Sequence, residues 1–180
     1  MRSPVVACLL ACLVACALVA CRPRSQAPAA SAARWVEFRD PHQRFRCELP
    51  AAPVRRRVPG PLVPGAPEIE AWVLRIDANT AYTIGSTDFG NTPIASVERG
   101  LDGARDSMLR GQSATLLGEV PVQSLDAVGR EITARLASGR TLRARLYFRR
   151  GALVQLVVVT PPDAPATDAR RFLDSLQLAP

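Results

Sequence analysis

Beyond the N-terminal region, this sequence has two side chains suited to nucleophilic chemistry: Cys47 and its lone histidine, His42. A working thiol–imidazole pair needs the two within hydrogen-bond reach, so that the imidazole can take the thiol proton. They lie five residues apart on a strand–turn–strand pattern, His42 in the turn Asp40-Pro41-His42-Gln43 and Cys47 in the strand that follows. Alternation puts Phe45, Cys47 and Leu49 on one face and Arg44, Arg46 and Glu48 on the other, so Cys47 reads as a small buried apolar residue and His42 as an exposed turn residue. Carboxylates pair up twice, Glu68 with Glu70 along a strand and Asp102 with Asp106 at i,i+4 on a helix. Both pairs read as solvated faces rather than the acid and base of a glycosidase. There is no phosphate-binding Gly-rich loop, no dinucleotide fingerprint and no calcium loop. With one His and one Cys in this region, ligands for a zinc or iron–sulfur site run short, so no metal, no cofactor and no catalytic residue is expected.

Charge is more informative. All 23 basic residues are Arg, set against 16 acids. They concentrate in two stretches: 34–57 holds seven Arg and three acids, and 130–150 holds seven Arg and one acid. The intervening segment 68–126 reverses the balance, with four Arg and nine acids. Period-two alternation places Arg135, Arg143 and Arg145 on one sheet face, and Arg55-Arg56-Arg57 adds a run inside a Pro-rich loop at 51–67. Like charges crowded across strands cost stability, so acids from the first helix or an anionic partner should lie nearby. An anionic lipid, a glycan or an acidic protein fits such a surface. Nucleic acid does not, because no reader motif is present.

The elements that would position these residues begin after residue 33. Strands are expected at 35–38, 44–49, 69–76 and 81–86, then at 115–124, 130–137, 141–148 and 152–160. Six prolines between Pro50 and Pro67 mark the 51–67 segment as loop. Thr92-Pro93 opens a helix whose Ile94, Val97, Leu101, Ala104 and Met108 form one apolar stripe. A second helix starts near Asp163 and carries Ala169, Phe172, Leu173 and Leu176. Matching apolar faces favours three-residue loops at 138–140 and 149–151. The first pairs Leu136 with Leu142 and sets Thr133 against Arg145. The second pairs Leu146 with Val154, whereas a two-residue loop would place Leu146 opposite Gln155. The fold class is α+β: an antiparallel sheet of six to eight strands with two main helices packed on it.

Residues 1–20 have the anatomy of a signal segment, with one Arg and then an apolar run from Pro4 to Ala20. Leu18-Val19-Ala20-Cys21 resembles the lipobox of bacterial lipoproteins, which implies cleavage before Cys21 and diacylation of its sulfur. Leu13-Val14-Ala15-Cys16 has the same pattern, but cutting there would leave apolar residues on the mature end. Cleavage at Cys21 leaves Cys47 as the one thiol. Residues 21–33 then form the lipidated cysteine and a flexible Ala/Pro/Ser tether, and 34–180 a single α+β domain. Acyl chains of the palmitate kind hold such a domain at a cell or outer membrane, facing periplasm or exterior. Arg22 in place of the Asp associated with inner-membrane retention favours the outer membrane.

Phe45-Arg46-Cys47-Glu48-Leu49-Pro50, Gly129-Arg130-Glu131, the run 140–160 and Arg171-Phe172-Leu173-Asp174-Ser175-Leu176 together resemble the PsbP-like sandwich domains of bacterial envelope proteins, across about 145 residues. In that group an opening strand ends in Pro, a Gly-Arg-Glu turn precedes a long hairpin, and a Phe-Leu-Asp-Ser helix closes the domain. The resemblance implies a non-catalytic accessory domain with no shared active site to carry over. The sequence therefore points to a lipid-anchored envelope binding domain. An envelope hydrolase using Asp/Glu or Cys47 and a structural subunit of an envelope complex are the alternatives.

Overall fold

Alternating apolar residues build most of the strands. In the computed structural model, residues 34–58, 69–89 and 97–179 are described. Cys21, the tether, Glu68 and the Thr92-Pro93 helix start lie outside them. β1 (Val36–Arg39) and β2 (Phe45–Leu49) form the first hairpin, and β2 also pairs with β10 (Gln177–Leu178) in a three-stranded sheet ordered β1-β2-β10. The larger sheet has seven strands: β3 (Val54–Val58), β4 (Ile69–Arg75), β5 (Ala81–Asp88), β6 (Ala114–Ser124), β7 (Ala127–Leu136), β8 (Thr141–Arg149) and β9 (Ala152–Thr160). Their order is β3-β4-β5-β9-β8-β7-β6, and every pairing is antiparallel. Two meanders thus meet at the β5–β9 seam. Helix α1 (Val97–Gly111) falls between them in the chain, and α2 (Ala166–Asp174) follows β9.

The seven-stranded sheet buries side chains on both faces across its central strands, while β6 at its edge is largely exposed. On one, Leu101 of α1 packs against Ile132, Ala134, Leu142, Ala144 and Leu146, joined by half-buried Val97, Ala104 and Met108 of the expected helical stripe. On the other, α2 and the small sheet bring Phe172, Leu173, Phe45, Cys47 and Leu49 onto Trp72, Tyr82, Ile84, Leu156 and Val158. Ala33–Pro180 forms one compact unit that contains both cores.

Four local expectations need correction. The 51–67 segment is not all loop, because residues 54–58 form β3, paired Val54 to Val73 through Val58 to Ile69. An edge strand tolerates flanking prolines and long charged side chains, and three consecutive arginines hid it. The β7–β8 loop spans 137–139: the Leu136 amide donates to the Arg140 carbonyl at 2.9 Å, and Gly139 takes φ 82°. The pairing is therefore Ala134 with Leu142 and Glu131 with Arg145, two residues from the expected register but on the expected faces. The β8–β9 turn has two residues, Arg150 (φ 48°) and Gly151 (φ 77°), a left-handed pair suited to strand twist. It does place Leu146 opposite Gln155. Face matching failed there because β9 carries apolar side chains both ways and either register buries them. Finally, Gly129 is not in a turn. It sits within β7 opposite Tyr147, where a Cβ would come within 2.4 Å of the Leu146 carbonyl oxygen and 2.6 Å of the Tyr147 ring.

Candidate functional site

The β1–β2 turn shows what becomes of the first nucleophile pair. Cys47 is 2% exposed and points into the core, and burial pushes its thiol up to about 12. It is therefore not a thiolate at neutral pH. His42 lies exposed in the turn with Nε2 3.2 Å from Glu70 Oε2. Beneath it, buried Asp40 accepts hydrogen bonds from the Arg44 backbone N–H at 3.1 Å, from Arg44 Nε at 2.7 Å and from Arg44 Nη2 at 3.0 Å. Burial alone would raise the Asp40 carboxyl; these bonds outweigh it and hold the group below the ordinary carboxylate value. Arg44 Nη2 also donates to Glu70 Oε2 at 3.2 Å, and Arg55 pairs with Glu70 Oε1. Glu70 is thus one pole of an ion-pair cluster.

The helix carboxylates are likewise engaged. Asp106 accepts from Arg105 Nε at 2.8 Å, and Asp102 stands 3.0 Å from Arg130. Glu119 of β6 accepts from Arg105 at 2.8 Å and Arg130 at 2.7 Å, joining α1 to β6 and β7. A cavity of about 340 Å³ opens beside Glu98, Glu119 and Arg130, and a second of about 290 Å³ lies between His42, Arg44, Arg149 and Leu178. The three arginines of the second are occupied: Arg44 by Asp40, Arg149 by Asp126 and the Ala179 carbonyl, and Arg150 by Asp126 at 3.7 Å. Among the described residues no cluster of His, Cys, Asp and Glu could hold a metal ion.

The expected arginine face is more open. β7 and β8 bring Arg135, Arg143 and Arg145 to the side of the sheet that carries α2, with Arg135 opposite Thr141, Arg143 between Thr133 and Val158, and Arg145 opposite Glu131. Arg145 is fully engaged. Its Nε donates to Glu131 at 2.6 Å, its Nη2 to Asp174 at 2.6 Å and its Nη1 to the Leu173 carbonyl at 3.0 Å. Burial opposes its charge, but the two carboxylates overcome that and hold it charged. These acids come from β7 and the end of α2, not from the first helix as expected; the carboxylates of α1 serve Arg105 and Arg130 on the opposite face.

Arg135 and Arg143, by contrast, make no hydrogen bond or ion pair among the described residues. A third arginine joins them that the sequence reading missed. Arg170 precedes Asp174 by four residues on α2, so both project from one flank of the helix, the flank whose Asp174 reaches Arg145. That i,i+4 spacing was the available signal. The run Arg55-Arg56-Arg57 does not make one patch. In β3, Arg55 and Arg57 occupy register positions opposite Trp72 and Glu70, on the α2 side, while Arg56 opposes Ala71 on the other. The side chain of Arg57 lies outside the described residues.

No family model and no curated protein matches this chain. Among solved structures, it is similar to the solution structure of a cyanobacterial PsbP from Synechocystis sp. PCC 6803, at 14% identity over 84% of this chain and 96% of that one, with a TM-score of 0.55. The fold is therefore PsbP-like: two helices on antiparallel sheets. A crystal structure of a protein of unknown function from Pseudomonas aeruginosa aligns at 16% identity over 74% of this chain and 85% of that one, with a TM-score of 0.35, too low to bear on the fold.

Proposed function

We propose that this chain is a lipid-anchored, non-catalytic binding domain of the bacterial cell envelope, held to a bilayer through acyl chains on Cys21 and engaging an anionic partner through the arginines beside α2. The observation that carries the binding role is the contrast within one sheet face: Arg145 is neutralised by Glu131 and Asp174, whereas Arg135 and Arg143 stand without a carboxylate. Unpaired guanidinium groups raise the local potential and concentrate anions. The PsbP-like fold supports an accessory rather than catalytic role, because the domains the sequence resembles share no active site. The anchor rests on the leader and on the Leu18-Val19-Ala20-Cys21 pattern.

Cell fractionation of the full chain tests the anchor. Cys21→Ala should abolish acyl incorporation and processing before Cys21. Unchanged processing together with unchanged membrane association would refute the anchor. Crosslinking in intact cells, comparing the wild type with Arg135→Glu/Arg143→Glu, tests the binding face; a partner set indifferent to the double variant counts against it. A second reading, a subunit of an envelope complex, draws on the exposed apolar side chains along β6 and its turn, Leu116, Leu117, Val120 and Leu125. Stoichiometric crosslinking through β6 would favour it.

A further inference from the structure

We infer that the anionic partner is the headgroup layer of an anionic bilayer, met by a patch consisting of Arg135, Arg143 and Arg170 with the exposed aliphatics Leu117 and Val120. The inference rests on the tethered reading for its geometry, but not for its chemistry.

Three observations converge. The first is composition. Arg135 and Arg143 project from β7 and β8 outboard of α2, Arg170 projects from the adjoining flank of the helix, and none of the three has a partner among the described residues. The second is the apolar rim. Leu117 is the extra residue of a bulge between Leu116 and Gly118, and Val120 opposes Glu131 on the same face as the arginines; each is 55% exposed. Guanidinium groups flanked by protruding aliphatics match a surface of phosphate and interfacial hydrocarbon better than a soluble glycan, which offers nothing for the aliphatics.

The third is where the tether joins the fold. The Trp35 ring stacks edge-on against Tyr82 at 6.3 Å and lies beneath the Arg171 guanidinium at 4.5 Å, so the chain enters the domain on the α2 side of the large sheet. Tyr82, Val158 and Arg143 form one row across β5, β9 and β8. Two strand spacings, about 10 Å, separate the row's first member from its last. The twelve residues 22–33 span about 40 Å fully extended. A tether of that length, anchored in the bilayer as proposed above, sets an effective concentration in the millimolar range. A weak patch on the tethered side is then occupied much of the time.

Vesicle co-sedimentation of residues 22–180, which lack Cys21 and contain the whole compact unit, reads the patch without the anchor. Binding is expected to vesicles containing about one third phosphatidylglycerol, not to phosphatidylcholine alone, and should be lost at high salt. Each arginine near an anionic surface contributes roughly fivefold, so Arg135→Glu/Arg143→Glu/Arg170→Glu should weaken binding by about 100-fold or more. The corresponding triple Lys variant should bind nearly as well. Arg39→Glu/Arg46→Glu, on the small sheet, should leave binding unchanged, and Leu117→Ser/Val120→Ser should weaken it in part. Equal thermal melts exclude misfolding as the cause. Indifference to phosphatidylglycerol, or anionic binding that survives the triple Glu substitution, would overturn the proposal, as would capture of an acidic protein through these arginines with vesicles ignored. The anchor is tested separately, by Cys21→Ala in the full chain, so either can fail without the other.

Discussion

Asp40 is the buried carboxylate among the described residues. It is 2% exposed, and three hydrogen bonds from Arg44 keep its carboxyl below the ordinary value. A depressed folded-state pKa stabilises the native state above the unfolded value of about 3.9, and that contribution is lost as pH falls through the folded one. Asp40→Asn should therefore destabilise the protein by about 1–3 kcal/mol at pH 7. Its penalty should shrink as the pH drops towards 2. Urea midpoints of both proteins at neutral and acidic pH check this, and parallel pH profiles would contradict it. Cys47 gives a second residue-scale prediction. A thiol pushed up to about 12 by burial should resist alkylation in the folded protein at pH 7 and react once denaturant exposes it. Labelling at the native rate of an exposed thiol would restore the nucleophile reading.

At the scale of elements, Gly129 and the β8–β9 turn each set a constraint. A Cβ on Gly129 meets backbone and an aromatic ring at 2.4 and 2.6 Å, so Gly129→Ala should cost about 1–3 kcal/mol by overpacking. Arg150 adopts φ 48° before Gly151, and Arg150→Asn suits that left-handed position better, with a gain of about 0.5 kcal/mol or more expected. Thermal melts of the two variants should move in opposite directions. These positions also mark what the sequence could show. Period-two alternation identified the faces of β7 and β8 and so placed Arg135 and Arg143 together. It could not show that Arg145 is neutralised, because its partners lie 14 and 29 residues away on other elements. Alternation fixed which face each residue takes but not the register: the β7–β8 pairing lies two residues from the one that face matching favours, and β9, buried both ways, accepts either turn length. β3 was hidden because prolines and three arginines describe a protected edge as well as a loop, and the two-residue β10 was too short for any pattern.

The whole molecule depends on β9. Leu153, Val157 and Val159 belong to the core beneath α1, while Val154, Leu156 and Val158 belong to the core beneath α2, and the same strand joins the two meanders through its pairing with β5. Two cores sharing their central strand should unfold together, even though no buried residue of one belongs to the other. The chain's two tryptophans make this testable, because Trp35 and Trp72 both lie in the α2-side core and their fluorescence reports on that core alone. Leu101 is fully buried in the opposite core, and Leu101→Ala should cost about 2–5 kcal/mol through lost transfer energy and a residual cavity. If the sheet couples the cores, that substitution should lower the tryptophan and far-UV circular dichroism midpoints by the same amount, with an unchanged denaturant slope. A shift in circular dichroism that leaves the tryptophan transition in place would show instead that α1 and its strands melt as a separate unit. The arginine patch, whose strands β7 and β8 contribute to the α1-side core, would then sit on a layer less stable than the rest of the fold.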